Sequence, residues 1–257
     1  MPRVDLNSDL GESFGVWRLG DDAAMYPLIT SANIACGYHA GDAATMVASC
    51  RAAAEHGVAV GAHPSYRDRA GFGRRTIEQP LDTLHADVLY QVSALEGIAA
   101  HTGTRVRYLK AHGALYNRAA VDPAVADVIA DVARSRGLPV LGLAGSAMAD
   151  ACSRVGVAFI AEAFVDRGYR ADGTLAPREL DNAVLTDPAM VAARAVRMVR
   201  DGEVVAIDGT LLAVRPASLC VHGDTAGAVA IARAVRSALD EADVVVRAAV
   251  DVDPLDR

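Results

Sequence analysis

The sequence predicts an α/β fold: a closed or nearly closed (β/α) barrel of seven parallel strands. Seven short apolar runs, too short for helices, alternate along the chain with alanine-rich stretches of helical composition. Runs that are apolar throughout suit strands buried on both faces, and strand–helix alternation produces a parallel sheet. We therefore predict a barrel with one irregular strand. A doubly wound open sheet is the alternative that alternation alone leaves open.

Each element of this barrel is predicted from its own segment. The predicted strands are the apolar runs at residues 4–6, 32–35, 58–62, 106–109, 139–143, 157–161 and 218–221. The predicted helices lie at residues 42–56, 80–101, 123–136, 145–154, 188–200 and 225–242. Asp42 and Asp122 are suited to cap helix N-termini, the latter directly before Pro123 at a first helical position. Gly57 and Gly137 are placed where helices end.

Composition excludes several classes of protein. Apolar residues make up 52% of the 257, and single barrels of about 250 residues are common, so we predict one barrel domain over residues 1–257. The net charge of −7 argues against binding to nucleic acids or anionic membranes, because a basic surface favours both kinds of binding. The first residues lack a signal-peptide core, no run approaches the roughly 18 apolar residues that span a membrane, and the cysteines form no CxxC pair. We therefore expect a cytoplasmic protein.

Histidines mark the predicted active site, because barrel enzymes carry catalytic residues where strands end. Four of the seven histidines follow predicted strands on separate units, beside glycine, acidic residues or lysine: His39, His63, His112 and His222. The other three fall inside or at the edge of predicted helices: His56, His85 and His101. A single histidine of this kind is more often structural, but the group of four predicts a functional site.

An alternating polar stripe opens the chain. Asp5, Asn7 and Asp9 lie two residues apart, so on a strand they share one face. Polar groups facing a barrel interior are costly unless paired, so the stripe needs a metal, a substrate or a basic partner such as Lys110. An exposed edge strand or a turn is the alternative, and it is stronger for Asp9 and Glu12 than for the first two residues.

A metal site and an anion site are both compatible with these residues. Histidine with carboxylate suits zinc, manganese or iron, so a divalent metal is possible, with Asp5, His39 and His63 as candidate ligands. No HExxH, P-loop or GxGxxG motif occurs. Arg74 and Arg75 could grip phosphate or carboxylate, or could belong to a basic surface loop. The predicted substrate- or phosphate-binding residues are Asn33, Arg74, Arg75, Glu162, His222 and Asp224.

Cysteine and serine chemistry is not favoured. Cys36 and Cys220 lie at strand ends, but free cysteine is usually a small buried core residue. Ser65 does not lie in the GxSxG motif that holds the nucleophile of many serine hydrolases.

The motifs at the strand ends resemble those of the LamB/YcsF family over almost the whole chain, from about residue 4 to about residue 240. They are DLNSDLGE at 5–12, SANIACGYHAGD at 31–42, GAHPSY at 61–66, GFGRR at 71–75, HGALY at 112–116 and CVHGD at 220–224. The resemblance implies an irregular seven-stranded, TIM-like (β/α) barrel of the glycoside hydrolase/deacetylase type.

The resemblance also implies an activity. Family members supply the A component of the bacterial 5-oxoprolinase, which opens the lactam of 5-oxo-L-proline to L-glutamate while ATP becomes ADP and phosphate. It implies partner subunits B and C. The alternative on the same barrel is a metal-dependent deacetylase or carbohydrate hydrolase, and a non-catalytic docking component is a third possibility.

Roles follow from the chemistry of such a reaction. Water attack on an activated lactam needs a general base and stabilisation of negative charge. We expect Asp5 or His112 to be the base and Lys110 to stabilise charge. Asn7 completes the predicted catalytic set, and His39 and His63 would orient substrate, water or a metal.

Overall fold

A computed structural model of the chain describes residues 1–225 and 227–252. Its strands are β1 (Arg3–Leu10), β2 (Ser31–Ala35), β3 (Ala59–His63), β4 (Val106–Leu109), β5 (Val140–Leu143), β6 (Phe159–Phe164), β7 (Glu203–Val205), β8 (Leu211–Ala213), β9 (Ser218–Cys220) and β10 (Val245–Val246). Its helices are α1 (Asp22–Met25), α2 (Ala43–His56), α3 (Leu81–His101), α4 (Gly113–Val121), α5 (Pro123–Arg136), α6 (Ala147–Val155), α7 (Pro188–Arg200) and α8 (Ala228–Glu241). A short 3₁₀ helix spans Tyr26–Leu28.

Seven of these strands form a closed parallel barrel. The order is β1-β2-β3-β4-β5-β6-β9, and β9 pairs back onto β1, with Asp5 opposite Ser218. β10 adds to the start of β1, while β7 and β8 form a separate antiparallel hairpin. Closure confirms the predicted seven-stranded barrel, and the open-sheet alternative is wrong.

The polar stripe of β1 faces the barrel interior. Asp5, Asn7 and Asp9 are all buried and exchange hydrogen bonds with side chains of neighbouring strands. Leu6 and Leu10 alternate with them and pack into the main hydrophobic core. The shared face is therefore confirmed, and the edge-strand or turn interpretation is wrong.

Helix boundaries follow local signals. The carboxylates of Asp42 and Asp122 accept backbone N–H groups in the first turns of α2 and α5. Gly57 and Gly137 end the same helices with φ of 65°, the left-handed conformation that favours glycine. The predicted helix at 225–242 begins at Ala228 in the structure, and residue 226 within it lies outside the described residues, as does the 253–257 end of the predicted domain.

Two α-helices were not predicted, the four-residue α1 and the longer α4. α4 begins directly after His112, where the sequence pattern indicates only a loop at a strand end. Within the described part of the chain, no helix has both the length and the apolarity that crossing a membrane requires.

Asp122→Ala is expected to lower the free energy of unfolding by about 1 kcal/mol at pH 7, because two N–H groups at the start of α5 lose their acceptor. Hydrogen bonding from Arg118 lowers the pKa of Asp122 in the folded chain. The stabilisation that Asp122 gives the folded chain is therefore complete above about 3.9, the carboxyl pKa in the unfolded chain. It is lost as pH falls through the lower pKa that Asp122 has in the folded chain. Urea unfolding at pH 7 and near pH 3 measures this difference.

The matched control for this prediction lies in the same helix. Asp131→Ala removes a carboxylate that only pairs with Arg134 on the surface, so we expect at most about 0.5 kcal/mol of change. Equal losses for the two variants would contradict the capping role of Asp122.

Candidate active site

The C-terminal ends of the barrel strands surround a cavity of about 500 Å³. Ligand sites usually measure about 300–1,000 Å³, so the cavity fits a small molecule. Its lining includes several residues that lie at the ends of barrel strands or in the segments after them: Asp9, His63, Arg74, Lys110, His112 and His222. The segment after β6 contributes Arg167, Arg170 and Arg178, so the cavity is rich in cations although the chain is acidic overall.

Lys110 lies at the floor of this cavity, directly after β4. Its Nζ lies 2.8 Å from Glu162 Oε1 and 3.0 Å from Asp9 Oδ1. Burial lowers the pKa of Lys110, but the charge of Asp9, assisted by that of Glu162, outweighs burial, so the pKa lies well above its ordinary value. Lys110 is also the one lysine of the chain, whose other basic residues are all arginine. An ammonium is therefore specifically present where two buried carboxylates meet.

Two asparagines and a tyrosine hold this ion pair in place. Asn7 Oδ1 accepts hydrogen bonds from Lys110 Nζ at 3.2 Å and from Asn33 Nδ2 at 2.7 Å. Asn33 also donates to Asp9 Oδ1 at 2.8 Å and accepts from the Tyr108 hydroxyl at 2.7 Å. Asn7 and Asn33 thus position the charged groups and do not line the cavity themselves.

Asp5 is buried in the barrel but does not line the cavity. Its carboxylate accepts hydrogen bonds from the hydroxyls of Thr30 at 2.6 Å and Ser31 at 2.7 Å, and from Ser218. Burial raises the pKa of Asp5. Because Asp5 is not among the residues that line the cavity, the geometry does not support the predicted roles of general base and metal ligand for it.

Four buried residues could hold a metal ion: Glu12, His39, His63 and His112. The potential ligand atoms all lie within 4.8 Å of one another. Burial lowers the pKa values of His39 and His112 and raises that of Glu12, so the isolated protein favours neutral side chains here. Both predicted histidine ligands, His39 and His63, belong to this group, whereas Asp5 does not and Glu12 takes its place.

A second group of possible ligands already contacts a cation. Asp9, Cys220 and His222 also lie within 4.8 Å of one another. The Lys110 ammonium lies 3.2 Å from Cys220 Sγ as well as 3.0 Å from Asp9, so it supplies positive charge to this group.

His222 is held by an aspartate that follows β6. Its Nδ1 lies 3.0 Å from Asp166 Oδ1, and its backbone N–H donates to Asp166 Oδ2 at 2.9 Å. A carboxylate accepts, so Nδ1 carries the hydrogen and Nε2 is left as a lone pair on a ring that lines the cavity. The ring also stacks on Phe164, with centroids 5.4 Å apart. This is the arrangement of an oriented general base.

Comparison with known proteins shows the family of the chain. The LamB/YcsF family model matches residues 4–253. The chain belongs to the LamB/YcsF family. It is similar to the 5-oxoprolinase A subunit of Mycobacterium avium (strain 104), with 55% identity over 250 residues that cover 96% of this chain and 99% of that protein. It is 54% identical to the 5-oxoprolinase A subunit of Mycolicibacterium paratuberculosis, with the same coverage.

A solved structure supports the fold of this LamB/YcsF chain. The crystal structure of a lactam utilization protein from Thermus thermophilus superposes with a TM-score of 0.91 at 43% identity, covering 96% of this chain and 99% of that one. The irregular seven-stranded barrel is thus shared with a solved relative.

The two arginines of the LamB/YcsF motif GFGRR have different surroundings. Arg74 lines the cavity and pairs with Asp224. Arg75 instead pairs with Asp68, its side chain is 63% exposed, and it is not among the lining residues. Of the two, Arg74 is therefore placed to meet a ligand, while Asp224 is positioned to hold it.

Sequence reasoning missed Arg167 and Asp166. Arg167 is buried, lines the cavity and donates to the carbonyl of Ala183 at 3.0 Å and to that of Ala176 at 2.6 Å. Among the described residues, no carboxylate forms an ion pair with it. Burial lowers its pKa to about 10, which still leaves it cationic at neutral pH. A signal was present, because the two residues lie five and six positions after the predicted strand at 157–161.

Proposed function

We propose that this chain is the A component of an ATP-dependent 5-oxoprolinase. Together with subunits B and C it would hydrolyse the lactam of 5-oxo-L-proline to L-glutamate, with ATP converted to ADP and phosphate. The observation that carries the proposal is the similarity, over 96% of the chain at 55% identity, to a protein named as the A subunit of 5-oxoprolinase.

The charges of the cavity support a small anionic substrate. 5-Oxoproline carries one carboxylate, and phosphate adds further negative charge. Arg74 and Arg167 line the cavity, and arginine forks bind carboxylate and phosphate through paired hydrogen bonds. Arg167 is the better placed of the two for the substrate carboxylate, since it donates only to carbonyl oxygens, whereas the charge of Arg74 is already paired with that of Asp224.

The chemistry explains why ATP is needed. A lactam is an amide and a poor electrophile, and phosphorylation of its carbonyl oxygen makes the carbon reactive. Water then adds to that carbon, the C–N bond breaks and the nitrogen takes up a proton. This leaves an acyl phosphate that a second water hydrolyses to L-glutamate and phosphate. The attacking water needs a base, and the developing oxyanion needs a cation.

The residues of the cavity suit these roles. His222, oriented by Asp166, has a ring nitrogen available to accept the proton of water. Lys110 would stabilise negative charge on the reacting oxygen. His112 is one of the two predicted bases, with Asp5, but its Nδ1 lies 3.0 Å from His63 Nε2 and its Nε2 lies 2.9 Å from the Phe72 carbonyl, so both ring nitrogens face protein atoms. We therefore assign the base to His222.

His222→Asn is expected to reduce turnover by about 100-fold or more, the usual effect of losing a general base. The measurement is 5-oxoproline-dependent ADP release by the complex of this chain with subunits B and C. His101→Ala, which removes an exposed histidine from the end of α3, should leave turnover unchanged. A folded His222→Asn variant with full turnover would assign the base elsewhere.

Reconstitution tests the proposal as a whole. The chain is mixed with purified subunits B and C, and ADP release is followed with and without 5-oxo-L-proline. We expect substrate-dependent release in the mixture and none from the chain alone. No activity in a mixture that forms a stable complex would overturn the proposal, and activity without partners would overturn the need for B and C.

A metal-dependent deacetylase or carbohydrate hydrolase is the second candidate, and one observation favours it. Glu12 and three histidines could hold a metal ion at the edge of the cavity. Hydrolysis of N-acetylated or glycosidic substrates by the metal-loaded chain, without its partners, would distinguish this activity from the first.

A further inference from the structure

We propose that Glu12, His39, His63 and His112 bind one divalent transition-metal ion. The four residues come from the ends of four neighbouring strands: Glu12 follows β1, His39 follows β2, His63 ends β3 and His112 follows β4. Their potential ligand atoms lie within 4.8 Å of one another, and all four side chains are buried. The proposal does not depend on the 5-oxoprolinase activity, because it concerns ion binding by this chain alone.

Two of these side chains have atoms that face the group and form no hydrogen bond. Glu12 Oε1 and both ring nitrogens of His39 form no hydrogen bond with any described residue. Their side chains are 4% and 0% exposed, so bulk water does not satisfy them either. Buried polar atoms without partners are rare in folded proteins and call for an explanation. Here Glu12 Oε1 lies 3.4 Å from His39 Nε2, so both point into the same small space.

The other two histidines direct lone pairs into that space. His63 Nδ1 lies 2.8 Å from the Lys110 carbonyl, and His112 Nε2 lies 2.9 Å from the Phe72 carbonyl. A carbonyl only accepts, so both of these nitrogens carry hydrogen. In the neutral rings, His63 Nε2 and His112 Nδ1 are then lone pairs that face each other at 3.0 Å, and the Asp9 carboxylate, a further acceptor, lies 3.3 Å from His63 Nε2. Two acceptors at this distance repel each other unless a cation or a shared proton lies with them.

A metal ion fits this pattern better than a shared proton. A proton joins two acceptors, whereas His39 and Glu12 bring further acceptors to the same space. Metal-bound histidines usually donate their second ring N–H to a backbone carbonyl or a carboxylate, as His63 and His112 do. Three imidazoles and one carboxylate match the preferences of zinc, manganese or iron. Such an ion would supply Lewis-acid polarisation beside the cavity that His63 and His112 line.

Binding is tested on the full-length chain after removal of metal with a chelator. Zn²⁺ and, separately, Mn²⁺ are titrated by calorimetry, and Co²⁺ is followed by its visible absorption, which reports imidazole ligation. We expect one ion per chain. We also expect Tm to rise by about 5–10 °C when the free ion exceeds its Kd about 100-fold.

Variants locate the ion. His39→Ala and Glu12→Gln should each weaken metal binding at least about 10-fold. The Glu12→Gln variant keeps the shape of the side chain, so it tests the site even where His39→Ala does not fold. His101→Ala removes an exposed histidine and should bind as the unchanged chain does. A folded, chelator-treated chain that takes up no Zn²⁺, Mn²⁺ or Co²⁺ would overturn the proposal and leave a proton shared by His63 and His112. Unchanged affinity in both ligand variants would also overturn it.

Discussion

Lys110→Met is expected to reduce turnover of the reconstituted complex about 1,000-fold, the size of effect seen when a group that stabilises transition-state charge is removed. Lys110 supplies the one lysine ammonium of the chain, and it lies within 3.0 Å of both Asp9 and Glu162 at the cavity floor. Methionine has similar length but no charge. The measurement is 5-oxoproline-dependent ADP release at saturating substrate, with Arg134→Met, a change to an exposed arginine of α5, as control.

The same substitution also changes stability, and the two effects can be separated. Without Lys110, the carboxylates of Asp9 and Glu162 are buried with no cation between them, which is expected to cost about 3–5 kcal/mol. The double variant Lys110→Met/Glu162→Gln removes one of those charges. It should therefore recover part of the free energy of unfolding, measured in urea, but none of the turnover. Turnover that returns together with stability would show that Lys110 has a structural role only.

Gly73→Ala is expected to destabilise the chain by about 2–5 kcal/mol, because strain and overpacking act together at one position. Gly73 has φ of +66°, in the region that favours glycine. A Cβ at this residue would lie 2.8 Å from His39 Cβ and 2.8 Å from His112 Cδ2, and would also overlap the Ser65 hydroxyl. The added methyl group therefore presses on two members of the proposed metal site.

Two measurements test this prediction. The free energy of unfolding should fall, and the affinity for Zn²⁺ should fall at least about 10-fold even where the variant is fully folded. Gly97→Ala is the matched control, since a Cβ at this position in α3 meets no atom within 4 Å. It should stabilise the helix by about 0.5–1 kcal/mol. A Gly73→Ala variant as stable as the unchanged chain would show that the loop can move away from the histidines.

Much of the fold could be predicted because its signals are local. Each of these signals, whether an apolar run, an alanine-rich stretch or a cap such as Asp122 or Gly137, affects only the few residues around it. The strands and helices of the structure lie where these local signals predict them. α4 was missed because its first turn overlaps a motif, beginning at His112, that also marks the end of β4. The hairpin of β7 and β8 lies outside the barrel and follows no strand–helix alternation.

The candidate site was only partly predictable. Four histidines were predicted to be functional because they follow predicted strands, and all four are buried at the C-terminal end of the barrel. Their division into two groups was not predictable, since His222 pairs with Asp166 while the other three adjoin Glu12. Asp5 satisfied the same pattern as Asp9 but lies among hydroxyl groups away from the cavity.

The strand–helix alternation, the polar face of β1 and the strands that end in chemically active residues can all be predicted from the amino-acid sequence. Each of these depends on the period of a strand or on a residue's immediate neighbours. Which polar groups meet depends on the folded structure: Lys110 lies with Asp9 and Glu162, Arg75 with Asp68, and Glu12 with His39. The physical reason is that the energy of a buried charge depends on groups within a few ångströms. Barrel closure brings those groups together from strands that are distant along the chain.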